Sequence, residues 1–312
     1  MNDPDPSVGL TPLPNNIHAM LLEIDDTECI NSGPVDWAPH AQSPATALKM
    51  FTRVMRDGRL LPILTAVCVA LLAEMYTTTS AGGSASVRQR LQYSTSPIAD
   101  FGIVLGKVTV PQCERLAYKR ASNGVVVLGQ DPEQHWWLYF TTIRGEDFFL
   151  DVGLFPFNFS MVVETAPYRP SGLKGSVFNS FPVYCVNRQI RKYLSSIHLE
   201  HKRVSALRDT RLHRAVSSMT HEGGTDYAPI LEFMEDIAGS KMVENEREEV
   251  EQVLVGLRPT LKDILQREAW KDYPERPEVL AHIDPEEEEA YIRQGPNLDT
   301  RTVPLDSCWF SS

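Results

Sequence analysis

Apolar residues in the first third of the chain repeat at helical spacing. Leu48, Phe51, Val54 and Met55 fall on one face of a helix over 45–56, which Ser43-Pro44 opens and Asp57-Gly58 closes. A second helix is predicted from Leu60 to about Tyr76. Its run Leu60–Ala73 is apolar on most sides, which places it at the centre of the molecule. That run of 14 residues is shorter than the roughly 20 that cross a bilayer, so a buried helix is expected and no membrane partner. Thr77–Ser86, rich in threonine, serine and glycine, reads as a loop.

The period then changes. Phe101–Val110 and Gly124–Leu128 are β-branched-rich runs between turn residues and read as strands. His135–Thr142 and Asp147–Val152 are two more, joined by the turn Ile143-Arg144-Gly145-Glu146. All four are expected in one antiparallel sheet with the Leu60–Ala73 helix packed on it. Trp136, Leu138 and Phe140 point to one side of their strand, Trp137 and Tyr139 to the other, so both faces are covered. Gly153 ends the run, and Leu154–Val163 is suited to covering a sheet edge or lining a pocket.

From Arg188 the chain reads as helical. Residues 188–214 form a basic helical stretch, followed by helices over Tyr227–Ile237, Lys241–Leu257 and Thr260–Trp270 and a short one over Glu286–Arg293. The predicted fold class is α+β, a central antiparallel sheet with a buried helix packed on it and a helical C-terminal part. The predicted organisation is a flexible lead-in over 1–44, an α+β core over 45–230, an acidic helical segment over 231–294 and a tail over 295–312. Within the lead-in, Ala19–Ile24 is the segment suited to a short strand or helix.

Charge narrows the function classes. The chain carries 30 Lys and Arg against 41 Asp and Glu, a net charge of −11. That argues against nucleic-acid binding by bulk electrostatics. Residues 188–214 are locally +6 and residues 232–290 locally −11, so the two blocks are expected to pair within the molecule. The N-terminus lacks the basic and apolar regions of a secretory signal, and the five cysteines are scattered without a CxxC pair. Reduced thiols and a cytoplasmic or nuclear location are expected, with neither a disulfide framework nor a zinc knuckle. No phosphate-binding glycine loop is present, so no nucleotide cofactor is expected. His198-Leu199-Glu200-His201 spaces its imidazoles by three residues, not the four of a zinc helix, and reads as a solvated helix face.

One constellation suggests chemistry: Cys68 in the apolar helix, His135 opening a strand, and Asp151 in the strand that follows the glycine turn. Thiol acyl transfer uses these residue types, the cysteine as nucleophile, the histidine as proton holder and the aspartate as its orienter. A turn centred on Arg144 sets Asp151 opposite Trp137, diagonal to His135 on the same face. A turn centred between Arg144 and Gly145 sets Asp151 opposite Leu138 and parts the pair. Both registers are open at this level. Trp136, Trp137 and Tyr139 are the candidate ligand-binding side chains, and no metal ligands are assigned.

The His-x-Trp of His135 and Trp137, with Asp151 sixteen residues after the histidine, resembles the second half of the transglutaminase-like cysteine-enzyme core. The likeness covers about residues 60–155. It implies a cysteine opening a helix, with histidine and aspartate on adjacent antiparallel strands. The chain is also similar to fungal proteins that share an HWW…FFLD core, a likeness that implies no activity. The departure lies at the helix start, because Arg59–Leu61 holds no cysteine and Cys68 lies about two turns further in. A thiol there lacks the free amides that lower its pKa. Cys113 follows the first strand, the wrong order for the family. Three readings follow: an accessory or regulatory protein on a degenerate scaffold, binding a protein or small-molecule partner; a cysteine-dependent acyltransferase or hydrolase using Cys68, His135 and Asp151; and an auxiliary factor in a fungal biosynthetic pathway.

Overall fold

The computed structural model of the chain describes residues 10–13, 17–24, 44–76, 90–93, 95–110, 115–120, 124–159, 161–168, 180–187, 197–219, 226–242, 244–274 and 278–281. Part of the expected lead-in is built into a sheet. Strand β1 (Leu10–Leu13) pairs antiparallel with β2 (Ile17–Ile24), an eight-residue run without proline whose backbone is free to bond on both sides. Helix α1 (Pro44–Arg56) follows. Gly58, at a φ of 75°, then turns the chain into α2 (Leu60–Leu71), which continues as a π turn over Leu72–Tyr76. Next come β3 (Gln92–Tyr93), β4 (Ser96–Val108), β5 (Leu116–Arg120), β6 (Val126–Leu128), β7 (His135–Thr142) and β8 (Asp147–Asp151). The strands β9 (Met161–Glu164), β10 (Ser180–Pro182), β11 (Tyr184–Asn187) and β12 (His198–Ser205) complete the middle of the chain. Helices α3 (Thr210–Ser218), α4 (Ala228–Ala238) and α5 (Glu244–Gln266) precede β13 (Val279–Ala281).

The fold is α+β. Its central antiparallel sheet runs β11-β8-β7-β4-β12, with β3 beside β4. Leu138 faces Leu150 and Tyr139 faces Phe149, the register of a turn centred on Arg144. Phe101 and Ile103 of β4 and Leu138 and Phe140 of β7 share one buried cluster with Leu61, Leu64 and Cys68 of α2 and Leu72 of the π turn. Phe233 and Met234 of α4 and Val250 and Leu254 of α5 belong to that cluster, so the acidic C-terminal helices close the same core. Val104, Trp137, Tyr139 and Phe149 pack together on the opposite face of the sheet. Burying both faces is why β7 is apolar almost throughout.

The sheet curls around that second face. Tyr184 on β11 and His198 on β12 sit on its two edge strands, yet their rings stack at 5.4 Å. Four flat strand spacings would part those backbones by about 19 Å. Gly106 on β4 permits the curl: a Cβ there would lie 2.3 Å from Trp137 Cη2 and 2.3 Å from the Leu199 carbonyl oxygen.

Four expectations need correction. Gly124–Leu128 contributes β6 to a separate sheet, ordered β1-β2-β5-β6, in which β2 and β5 run parallel. Its valines are exposed, so they mark a sheet edge and not the core. Residues 198–205 form β12, because the long β4 offers a free edge for them to pair with. Helix α5 runs unbroken through Pro259, where two helices were expected. The lead-in is the fourth, in part: residues 10–13 and 17–24 are strands, the second covering the Ala19–Ile24 segment expected as a short strand or helix. The charge blocks meet in part: Lys202 and Arg211 each reach Asp236 at 3.1 Å, while Arg203 pairs with Asp147 and Glu200. Exposed pairs of this kind contribute about 0–1 kcal/mol each. Among the described residues no single helix is long and apolar enough to cross a membrane. Thr77–Ser86, Glu286–Arg293 and the tail lie outside the described residues.

Candidate functional site

His135 opens β7 and Asp151 closes β8, and the Arg144-centred register puts both on the concave face. His135 Nε2–H donates to Asp151 Oδ2 at 2.7 Å. A third side chain completes the group. His198, the first residue of β12, donates from its Nε2 to the same oxygen at 2.7 Å. Asp151 Oδ1 accepts the Gly153 backbone N–H at 2.7 Å. All three side chains are fully buried. His198 reaches Asp151 across β4 and β7, which the curl allows and Gly106, between the two histidine strands, leaves room for.

Aromatic rings wall the trio. His135 lies 6.1 Å from Trp137 and 5.8 Å from Phe157. His198 lies 4.9 Å from Trp137, 4.8 Å from Phe149 and 5.4 Å from Tyr184. Burial alone would raise the Asp151 carboxyl pKa. His135 and His198, hydrogen-bonded to it, outweigh this and hold the group well below the usual carboxylate range. On the far side of His135, Gln130 Nε2–H donates to Nδ1 at 2.6 Å. The other amide atom, Gln130 Oε1, is buried without a hydrogen-bond partner. Turning the amide over would set Oε1 against an Nδ1–H, so Gln130 can serve either tautomer of His135.

Cys68 does not join the group. It is fully buried in the core cluster around α2, and burial pushes its thiol well above its ordinary range. Among the described residues, the nitrogen and oxygen atoms that gather within 4.8 Å of one another are those of His135, Asp151 and His198, with no sulfur among them. Both ring nitrogens of His135 are taken, Nε2 by Asp151 at 2.7 Å and Nδ1 by Gln130 at 2.6 Å, so the Cys68–His135–Asp151 triad is not assembled. Cys68 lies on the third turn of α2, where packing against the sheet fixes its direction. Cys113 lies outside the described residues.

What stands beside His135 is the first residue of α2. The point a Gly153 Cβ would occupy lies 2.2 Å from Leu60 Cδ2 and 3.0 Å from His135 Cε1. The ligand-binding residues expected from sequence divide by face. Trp137 and Tyr139 are core residues, 1% and 2% exposed, and offer no open platform. Tyr139 donates its hydroxyl hydrogen to Asp100 and carries the Arg203 guanidinium 4.3 Å over its ring. Trp136, on the helix face, is partly exposed, and its indole N–H is buried without a partner.

His198 and Gln130 are the members that sequence reasoning missed. The basic run around His198 pointed to a solvated helix. The one cue was the β-branched pair Ile197 and Val204 flanking it. No family model, no curated protein and no solved structure matches the chain.

Proposed function

We propose that the protein is an accessory or regulatory factor on a degenerate transglutaminase-like scaffold, one that holds a partner or small ligand and performs no thiol chemistry. The observation that carries this reading is Leu60. The resemblance requires a nucleophilic cysteine at the helix start, facing the histidine. Here Leu60 takes that position, 4% exposed and crowding the same point as His135 Cε1. An aliphatic side chain gives the His135–Asp151 pair no proton to take and no nucleophile to activate. Two sp² nitrogens and a carboxylate in a closed aromatic box then act as a post that fixes three strands. Of the three aromatic residues expected to meet a ligand, Trp136 is the one with exposed surface.

The test is chemical. The native protein is incubated with iodoacetamide and, separately, with an aryl thioester, and adducts are mapped by mass spectrometry. Cys68 should stay unmodified until the protein is unfolded, and thioester turnover should match that of a His135→Ala variant. A stoichiometric acyl adduct on native Cys68 that disappears in His135→Ala would overturn the reading and restore a cysteine acyltransferase.

A further inference from the structure

We infer that His135, Asp151 and His198 form a binding site for one divalent transition-metal ion of the zinc class. Two imidazole Nε2 atoms and one carboxylate oxygen converge from three different strands, all within 4.8 Å of one another and fully buried. Imidazole nitrogens with one carboxylate suit zinc, cobalt, nickel or iron(II). Magnesium and calcium call for oxygen ligands. The two Nε2–Oδ2 contacts are 2.7 Å. Ligand atoms set tetrahedrally around an ion at 2.0–2.1 Å stand about 3.3 Å apart. The trio thus admits an ion by opening about 0.6 Å, with the ion replacing the two N–H hydrogens that now point at Oδ2.

Two further observations point the same way. The first is Gln130. A histidine that ligates through Nε2 carries its proton on Nδ1 and needs an acceptor there. Gln130 already touches His135 Nδ1 at 2.6 Å, is 8% exposed, and has its Oε1 buried without a partner. With the amide turned over, that oxygen accepts from Nδ1–H, and the NH₂ takes the place the oxygen leaves. The second is charge. The side chains that contact the Asp151 carboxylate are the two imidazoles, each 2.7 Å from Oδ2. A divalent ion supplies the permanent positive charge that this buried carboxylate lacks. Oδ1 stays fixed by the Gly153 N–H, which orients the ligating oxygen. Because the site is closed by Trp137, Phe149, Phe157 and Tyr184, the ion would serve the fold and would couple to its stability.

The test uses the full chain, expressed without a histidine tag, stripped with a chelator and titrated with Co²⁺ alone, then with Zn²⁺ in competition. Visible d–d absorption should saturate near one equivalent, Zn²⁺ should displace it, and the thermal midpoint should rise. His198→Gln should lose this signal, and His201→Ala, an exposed neighbour, should keep it. X-ray absorption of the wild-type zinc complex should count two imidazoles, which keeps the test independent of whether a variant folds. Wild-type protein that binds neither ion, binding unchanged in a folded His198→Gln, or a zinc shell without two imidazoles would each overturn the proposal. None of those outcomes touches the reading drawn from Leu60, which stands or falls on Cys68 labelling.

Discussion

Replacing Asp151 by asparagine is the sharpest test of the buried trio, because the change keeps volume and removes one acceptor. The carboxylate accepts three N–H groups at 2.7 Å each, from His135, His198 and Gly153. An asparagine has one acceptor oxygen and one NH₂. Whichever way it turns, the NH₂ meets an N–H where an oxygen stood. If the amide oxygen keeps both imidazoles, the Gly153 N–H faces a donor. If it keeps Gly153, both imidazoles must change tautomer. Each lost hydrogen bond to a charged group is worth about 1.5–3 kcal/mol, and breaking a buried ionic group by one partner costs about 3–5 kcal/mol. We expect Asp151→Asn to lose about 3–5 kcal/mol in urea denaturation of chelator-treated protein. At roughly 2–4 °C per kcal/mol, the thermal midpoint should fall by about 10 °C. A loss under about 1 kcal/mol, with an unchanged circular dichroism spectrum, would refute the idea that the imidazoles hold this carboxylate as an anion.

Other expectations concern single side chains. Cys68→Ala should cost about 1–2 kcal/mol through the cavity it leaves, and the native thiol should react with a disulfide reagent only as fast as the protein unfolds. Gly106→Ala should destabilise by about 1–3 kcal/mol, because its Cβ meets Trp137 and the Leu199 carbonyl; a neutral result in thermal melts would show that the sheet curls less tightly. Asp209 caps α3 by accepting from the Arg211 and Leu212 amides. Burial would raise its pKa, but the Arg211 side chain and these amides hold it below the ordinary carboxyl value. Its contribution is therefore complete above the unfolded carboxyl pKa and fades as pH falls through the lower folded value. Asp209→Ala should cost about 0.5–2 kcal/mol at neutral pH and progressively less in acid, as read from urea midpoints across pH 2–7.

The His135–Asp151 pair was legible in the sequence as one of two alternatives, because a hairpin has few registers and alternation ties each register to a face. The Arg144-centred register follows from a three-residue turn with Gly145 at a φ of 78°. The α2 helix was legible for a different reason, a long apolar run with no polar face to orient it. β12 was not, and its hydrogen bonding explains why. Its register shifts between Glu200 and Lys202, so His201 is an extra residue. His198 and Glu200 share a face with Arg203 and Ser205, a pattern that neither period 2 nor period 3.6 describes. The inward residues are polar and Leu199 is 59% exposed, which inverts the usual hydrophobic signal. β6 failed for the opposite reason: Val125, Val126 and Val127 are strongly apolar yet 49%, 39% and 43% exposed.

The curl that lets β12 reach Asp151 also sets an order of assembly. His135 and Asp151 are 16 residues apart and meet through a hairpin, which forms in about 1–10 μs. His198 comes 47 residues after Asp151 and must be delivered by docking a whole strand on the far side of β4. Closing that longer loop is entropically dearer and slower. On a ribosome, a chain ending before residue 198 already holds the hairpin but leaves the carboxylate one imidazole short. The buried carboxylate therefore gains its second imidazole only once β12 has docked beside β4.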